Sequence, residues 1–167
     1  MNVTKANMTG LNLRPEMDID PGPSLTFLLV DVSRLFRSSF DKAIDRAGID
    51  VTPGEARTLV HLADIGQCNQ ATLAARMSIE PMTMSNYLDR LVFRNLVSRA
   101  PDPSDRRSKI VCLSSGGKSV LRRIEPILGS VYNQAVAGIG SDDISYVYSR
   151  LNSIRTNLLA NGEEAGG

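Results

Sequence analysis

Between Arg90 and Lys109 the chain sets six cations, Arg90, Arg94, Arg99, Arg106, Arg107 and Lys109, against only Asp102 and Asp105. That is a local excess of four positive charges in a protein whose total is +1. Guanidinium and ammonium groups gathered in one short segment neutralise phosphate, and such a cluster is the electrostatic footprint of nucleic-acid binding. Immediately before it, Pro81, Met82, Thr83, Ser85, Asn86 and Arg90 offer small or hydrogen-bonding groups of the kind that suits the floor of a DNA major groove. The amide of Asn86 can pair with an adenine edge, and Arg90 suits a phosphate. Other chemistries lack their parts. A single His leaves no Ser-His-Asp arrangement beyond chance, and two Cys with that His make no zinc cluster. Gly116-Gly117-Lys118 reads as a helix start and not a phosphate cradle. No cofactor and no metal are expected, and the chain does not read as an enzyme.

These residues need elements to aim them. From Gln70, apolar side chains fall at Leu73, Ala74, Met77, Ile79, Met84, Leu88 and Leu91, which describes two short helices joined by a tight turn, with Ala74 small enough for the second to cross closely over the first. The second helix has one face left over, and the six residues at 81–90 lie on it. Val97 to Pro101 and Lys109 to Leu113 then form two short strands around the basic Ser104-Asp105-Arg106-Arg107-Ser108 tip, a wing.

The flanks are helical. Leu25, Leu28, Leu29, Val32, Leu35, Phe36, Phe40 and Ala43 make one long stripe, ended by Gly48 at a left-handed cap. Thr52, Pro53 and Glu55 open the next helix as a capping box, and Gly66 closes it. Beyond the wing, Ser114 caps a long helix whose apolar residues fall between Val120 and Val136, with Pro126 inside it. Ser141 caps a last one carrying Ile144, Val147, Tyr148, Leu151, Ile154 and Leu158. The organisation expected is an arm at 1–24, a dimerisation helix at 25–50, a winged helix-turn-helix at 51–114, C-terminal dimerisation helices at 115–160 and a polar tail at 161–167. The fold class is mainly α, with three helices and a small β-hairpin wing in the DNA-binding region. At 167 residues the chain buries one core. No apolar run approaches the ~20 residues that span a bilayer, and 1–14 lacks the hydrophobic region of a secretory signal, so no membrane contact and a cytoplasmic location are expected.

Thr52-Pro53-x-Glu55, Asn69-Gln70-Ala71-Thr72-Leu73-Ala74, Leu88-Asp89-Arg90-Leu91, Pro101-Asp102-Pro103-Ser104-Asp105-Arg106-Arg107 and Leu113-Ser114 together resemble the MarR family of bacterial transcription regulators, over roughly Leu25 to Leu159. The resemblance implies a homodimer that binds double-stranded DNA at an inverted repeat, usually as a repressor, often relieved by a small molecule or an oxidant. It places Arg107, with Arg106 second, in the minor groove, held by Asp105, and adds Lys109 to the DNA-binding set. It also implies a cleft for a small aromatic or phenolic ligand, to which Arg57, His61 and Tyr132 can contribute. Two positions depart from the family pattern: Ser78 stands where many members have glycine in the turn, and Asn86 where many have a basic residue. Of the thiols, Cys68 reads as core and Cys112 as the more exposed. The competing use of the same domain is a winged helix that binds protein, without specific DNA binding.

Overall fold

The computed structural model describes residues 24–102 and 109–164. The wing tip and the N-terminal arm, with Asp105, Arg106 and Arg107, lie outside them. The order of elements is α1 (Leu25–Arg46), α2 (Pro53–Ile65), β1 (Cys68–Asn69), α3 (Gln70–Met77), α4 (Pro81–Phe93), β2 (Val97–Pro101), β3 (Lys109–Leu113), α5 (Ser115–Ala135) and α6 (Ser141–Glu164). The chain divides into two units, residues 1–35 and 36–167.

Within the first unit the described residues are the opening half of α1, where Leu25, Phe27, Leu28, Val30, Val32 and Leu35 are all exposed. The second unit holds the core. Its large fully buried apolar side chains are Ile44, Leu59, Leu62, Leu73, Met84, Leu88, Leu91, Val111 and Ile124. They come from the inner faces of the helices and the middle strand of the sheet, at the 3.6-residue and two-residue spacings that put one face of each element inward.

Local chemistry sets the element ends. Thr52 Oγ1 accepts from the Glu55 amide at 3.3 Å while Glu55 Oε2 accepts from the Thr52 amide at 2.8 Å, so both partners of the capping box are present. Asn69 Oδ1 accepts from the Thr72 amide at 2.8 Å to start α3, and Ser114 Oγ accepts from the Gly117 amide at 3.0 Å to start α5. Gly48 follows α1 with φ +60°, the conformation expected of it. At the last helix Ser141 is the first helical residue, and the Gly140 carbonyl accepts from Ile144 at 3.0 Å. That helix runs on to Glu164, into the segment whose composition reads as a polar tail.

The wing hairpin β2–β3 is extended by β1 into a three-stranded antiparallel sheet in the order β1-β3-β2. Val97 faces Leu113 and Pro101 faces Lys109, which fixes the hairpin register. The extra strand pairs Cys68 with Val111 and Asn69 with Ile110. Two residues are too few to leave a periodic signal, so this strand is invisible to pattern reading. It joins the wing's inner strand to the start of α3.

Candidate nucleic-acid interface

The turn between α3 and α4 is built on Ser78, at φ 50° and ψ 48°, whose amide bonds the carbonyls of Ala74 and Ala75. A left-handed residue here reverses the chain and lets α4 cross α3. Pro81 occupies the first turn of α4, where its missing N–H costs nothing. Met84, Leu88 and Leu91 of α4 are fully buried, which turns Met82, Asn86 and Arg90 outward at successive i, i+4 positions. Pro81 is exposed beside them, and Thr83 and Ser85 are half-buried at the edges of the stripe. The structure therefore gathers all six residues expected on the reading face onto one side of one helix. Gln70, at the start of α3, spans the turn by donating from Nε2 to the Pro81 carbonyl at 3.4 Å.

The arginines around this stripe are not a loose basic cluster. Arg90 Nε donates to Glu55 Oε1 at 2.6 Å, and Arg94 Nη1 lies 3.8 Å from Glu55 Oε2. Arg94 also donates to both the carbonyl and the carboxylate of Asp50. Arg99 on β2 donates through Nη1 to Asp89 on α4, tying the wing to that helix, while its buried Nη2 has no partner among the described residues. Three acids from outside the segment 90–109 thus pair with three of its six cations, leaving a local excess of one positive charge where the linear count gives four. Pairing across space does not show in a count along the chain. Glu55 announces itself only as a helix cap, and Asp89 and Arg99 sit on different elements, so neither acid is singled out by sequence. Of the described cations in that segment, Lys109 alone has no acidic partner among the described residues, and it is exposed on the wing.

Away from this face, Phe36, Arg37, Phe40, Arg57, Val60, His61, Leu128 and Val131 line an apolar pocket of about 190 Å³. It brings together two of the three residues expected at a ligand cleft; Tyr132 is exposed on α5 and does not line it. The Arg57 guanidinium already pairs with Asp41. Burial, with Arg76 and then Arg57 and Arg37 nearby, lowers the His61 pKa against the opposing pull of Asp64. Both thiols are half-buried. Cys68 packs against the core, and burial raises its pKa. Cys112 Sγ lies 3.1 Å from Ser98 Oγ on the opposite face of the sheet from Val111, the residue that faces Cys68. The two thiols therefore point to opposite faces. Among the described residues no group of His, Cys, Asp or Glu could hold a metal ion, and no helix is long and apolar enough to cross a membrane.

Residues 51–109 match the MarR family. Over 86 residues the chain is 30% identical to the HTH-type transcriptional repressor NicR of Pseudomonas putida, an alignment spanning 52% of this chain and 54% of that repressor. The chain thus aligns with about half the length of that relative. Among solved structures, a MarR-family transcriptional regulator from Rhodococcus sp. RHA1 superposes with a TM-score of 0.65 at 25% identity, covering 77% of this chain and 90% of that one. A mutant of the regulator MarR from E. coli, complexed with operator DNA, superposes with a TM-score of 0.62 at 20% identity, covering 78% and 92%. At that identity the likeness is one of fold.

Proposed function

We infer that this chain, which belongs to the MarR family by its domain at residues 51–109, is a sequence-specific DNA-binding transcription regulator and a repressor. The observation that carries the reading is the outward stripe Met82, Asn86 and Arg90 on a helix whose opposite face is fully buried, with Lys109 exposed on the adjoining wing. A helix braced from behind and bare in front fits the major groove, and a wing beside it reaches the neighbouring minor groove. In this reading Pro81, Met82, Thr83, Ser85 and Asn86 meet base edges, Arg90 and Lys109 meet phosphate, and Arg107, with Arg106 and Asp105, enters the minor groove. The last three lie outside the described residues, and their assignment rests on the sequence motif.

The operator would be an inverted repeat read by a homodimer, with half-site centres ~10 base pairs apart. Support for the second subunit comes from α6, which buries none of its residues 141–160 and exposes Tyr146, Val147, Tyr148, Leu151, Leu158 and Leu159. The pocket beside Arg57 and His61 is the place for a small aromatic inducer. With Arg57 already paired to Asp41, an uncharged or phenolic ring suits it better than a free carboxylate. A cytoplasmic location goes with this function.

Protein binding by the same domain is favoured by one observation, the neutralisation of Arg90, Arg94 and Arg99 by protein acids. An anisotropy titration of the purified protein on its own upstream DNA, at two salt concentrations with random duplex as competitor, separates the two. Competitor-resistant binding that weakens steeply with salt is expected. Arg107→Ala should lose most of that affinity while the protein stays folded. Weak binding, equal on random DNA, across a genome-wide site selection would turn the assignment to the protein-binding use.

A further inference from the structure

We propose that Glu55 is a positioning residue for DNA binding, whose buried carboxylate holds the Arg90 guanidinium by Nε so that its outer edge, Nη1 and Nη2, takes one backbone phosphate of the duplex. The proposal rests on the DNA-binding reading above.

The Glu55 side chain is 3% exposed, yet it stands behind a face read as meeting a polyanion. A carboxylate there is a liability unless cations cover it, and covering it is what α4 does. Oε2 accepts from the Thr52 amide at 2.8 Å and Oε1 from Arg90 Nε at 2.6 Å. The Arg90 side chain is nevertheless 54% exposed, and among the described residues its Nη1 and Nη2 have no hydrogen-bond partner. A guanidinium bonded inward through Nε is fixed in plane with its two remaining NH2 groups facing away, the fork that matches two phosphate oxygens.

A second support holds the same plane. The Arg90 guanidinium carbon lies 5.5 Å from the centre of the Tyr87 ring. That ring in turn fills the space a side chain on Gly54 would need, so the start of α2 backs it. Arg94, one turn further along, is satisfied by Asp50 and sits 3.8 Å from the other Glu55 oxygen. It covers the remaining charge of Glu55 without competing for Nε. Arg90 closes the outward stripe that begins at Met82 and Asn86, where a helix lying in the major groove meets the sugar-phosphate wall. An arginine already frozen by Glu55 and Tyr87 loses less conformational entropy on binding than a free one.

The test compares wild type, Arg90→Ala, Arg90→Lys, Glu55→Gln and the Glu55→Gln/Arg90→Ala double variant of the full chain. Each is titrated on the selected operator duplex over a series of salt concentrations, with the Arg90 Nε–H NMR signal read in the free protein. Glu55→Gln keeps an acceptor for the Thr52 amide, and thermal melts check that every variant is folded. Arg90→Ala should weaken binding about tenfold, the worth of one charge-assisted hydrogen-bonded contact. The salt slope should fall by about one. Glu55→Gln should weaken binding in the same sense, lose the slowly exchanging Nε–H signal, and add nothing in the Arg90→Ala background. Arg90→Lys should also lose affinity, since an ammonium lacks the fork. Tighter or unchanged binding by Glu55→Gln, an equal loss from it in the Arg90→Ala background, or full activity of Arg90→Lys would each overturn the proposal. If wild type shows no competitor-resistant binding, the DNA-binding reading fails with it, while the Nε–H signal still decides whether Glu55 holds Arg90.

Discussion

The imidazole of His61 is half-buried beside three arginines, and burial first, then the Arg76 charge, holds its pKa below the ordinary 6.5. In the unfolded chain the same group takes its proton at the ordinary value. Above that pH both states are neutral there and His61 contributes nothing to pH dependence. As pH falls through 6.5 the unfolded state binds a proton that the folded state resists, so stability is lost until the folded pKa is passed. Thermal melts between pH 5 and 8 should therefore show a decline below 6.5 that is shallower in His61→Gln; parallel curves would sink the attribution. A second residue-scale cost sits at Ser78, whose φ of 50° an L side chain adopts at a penalty of ~1 kcal/mol. Ser78→Gly relieves that strain but loosens the unfolded chain, leaving a net gain of about 0.5 kcal/mol in urea unfolding. A loss instead would mean that the hydroxyl makes a contact worth more than the strain.

At the scale of elements, α5 is locked to the chain that leaves α4. The Ser114 amide donates to the Leu96 carbonyl at 3.1 Å, and Ser114 Oγ donates to the Asn95 carbonyl. A Cβ on Gly117 would run into the Leu96 carbonyl oxygen, a backbone atom that cannot swing aside. Gly117→Ala should thus cost about 2 kcal/mol or more, read as a lowered denaturant midpoint, whereas an alanine on an open helix surface would stabilise. The Gly116-Gly117 pair is legible in sequence as a helix start, but the collision that requires glycine is not, because it involves Leu96, twenty-one positions away. The same division runs through the candidate site. The starts of α2 and α5, the close of α1 at Gly48, the wing strands and the outward stripe follow from periodicity and capping residues, which act within a few positions. Ser78, by contrast, is placed in its turn by the family resemblance, and α6 starts and ends away from where its composition puts it. The Glu55–Arg90 and Asp89–Arg99 pairs, the strand Cys68–Asn69 and the stacking of Tyr87 over Gly54 are made by tertiary packing, for which one sequence carries no local signal.

For the whole molecule the question is what covers α6. Val147 and Leu158 are 48% and 68% exposed and lie eleven residues apart, three turns of helix, so they share a face. Water against such a stripe is costly, and a second copy of the same stripe brought up by a two-fold axis removes both at once. In the proposed dimer two winged helices would bind the two halves of an operator as a linked pair, the second contact being made at an effective concentration far above that of free protein. Val147→Glu with Leu158→Glu should therefore convert a dimer to a monomer in sedimentation. These positions are solvent-facing within the subunit, so circular dichroism should stay that of a folded helical protein. Affinity for a complete operator should fall by on the order of 100-fold, the value of the lost linkage, while affinity for an isolated half-site stays as it was. A loss equal on both duplexes would place the damage in the winged helix itself, and a dimer that survives both glutamates would move the interface off this face of α6.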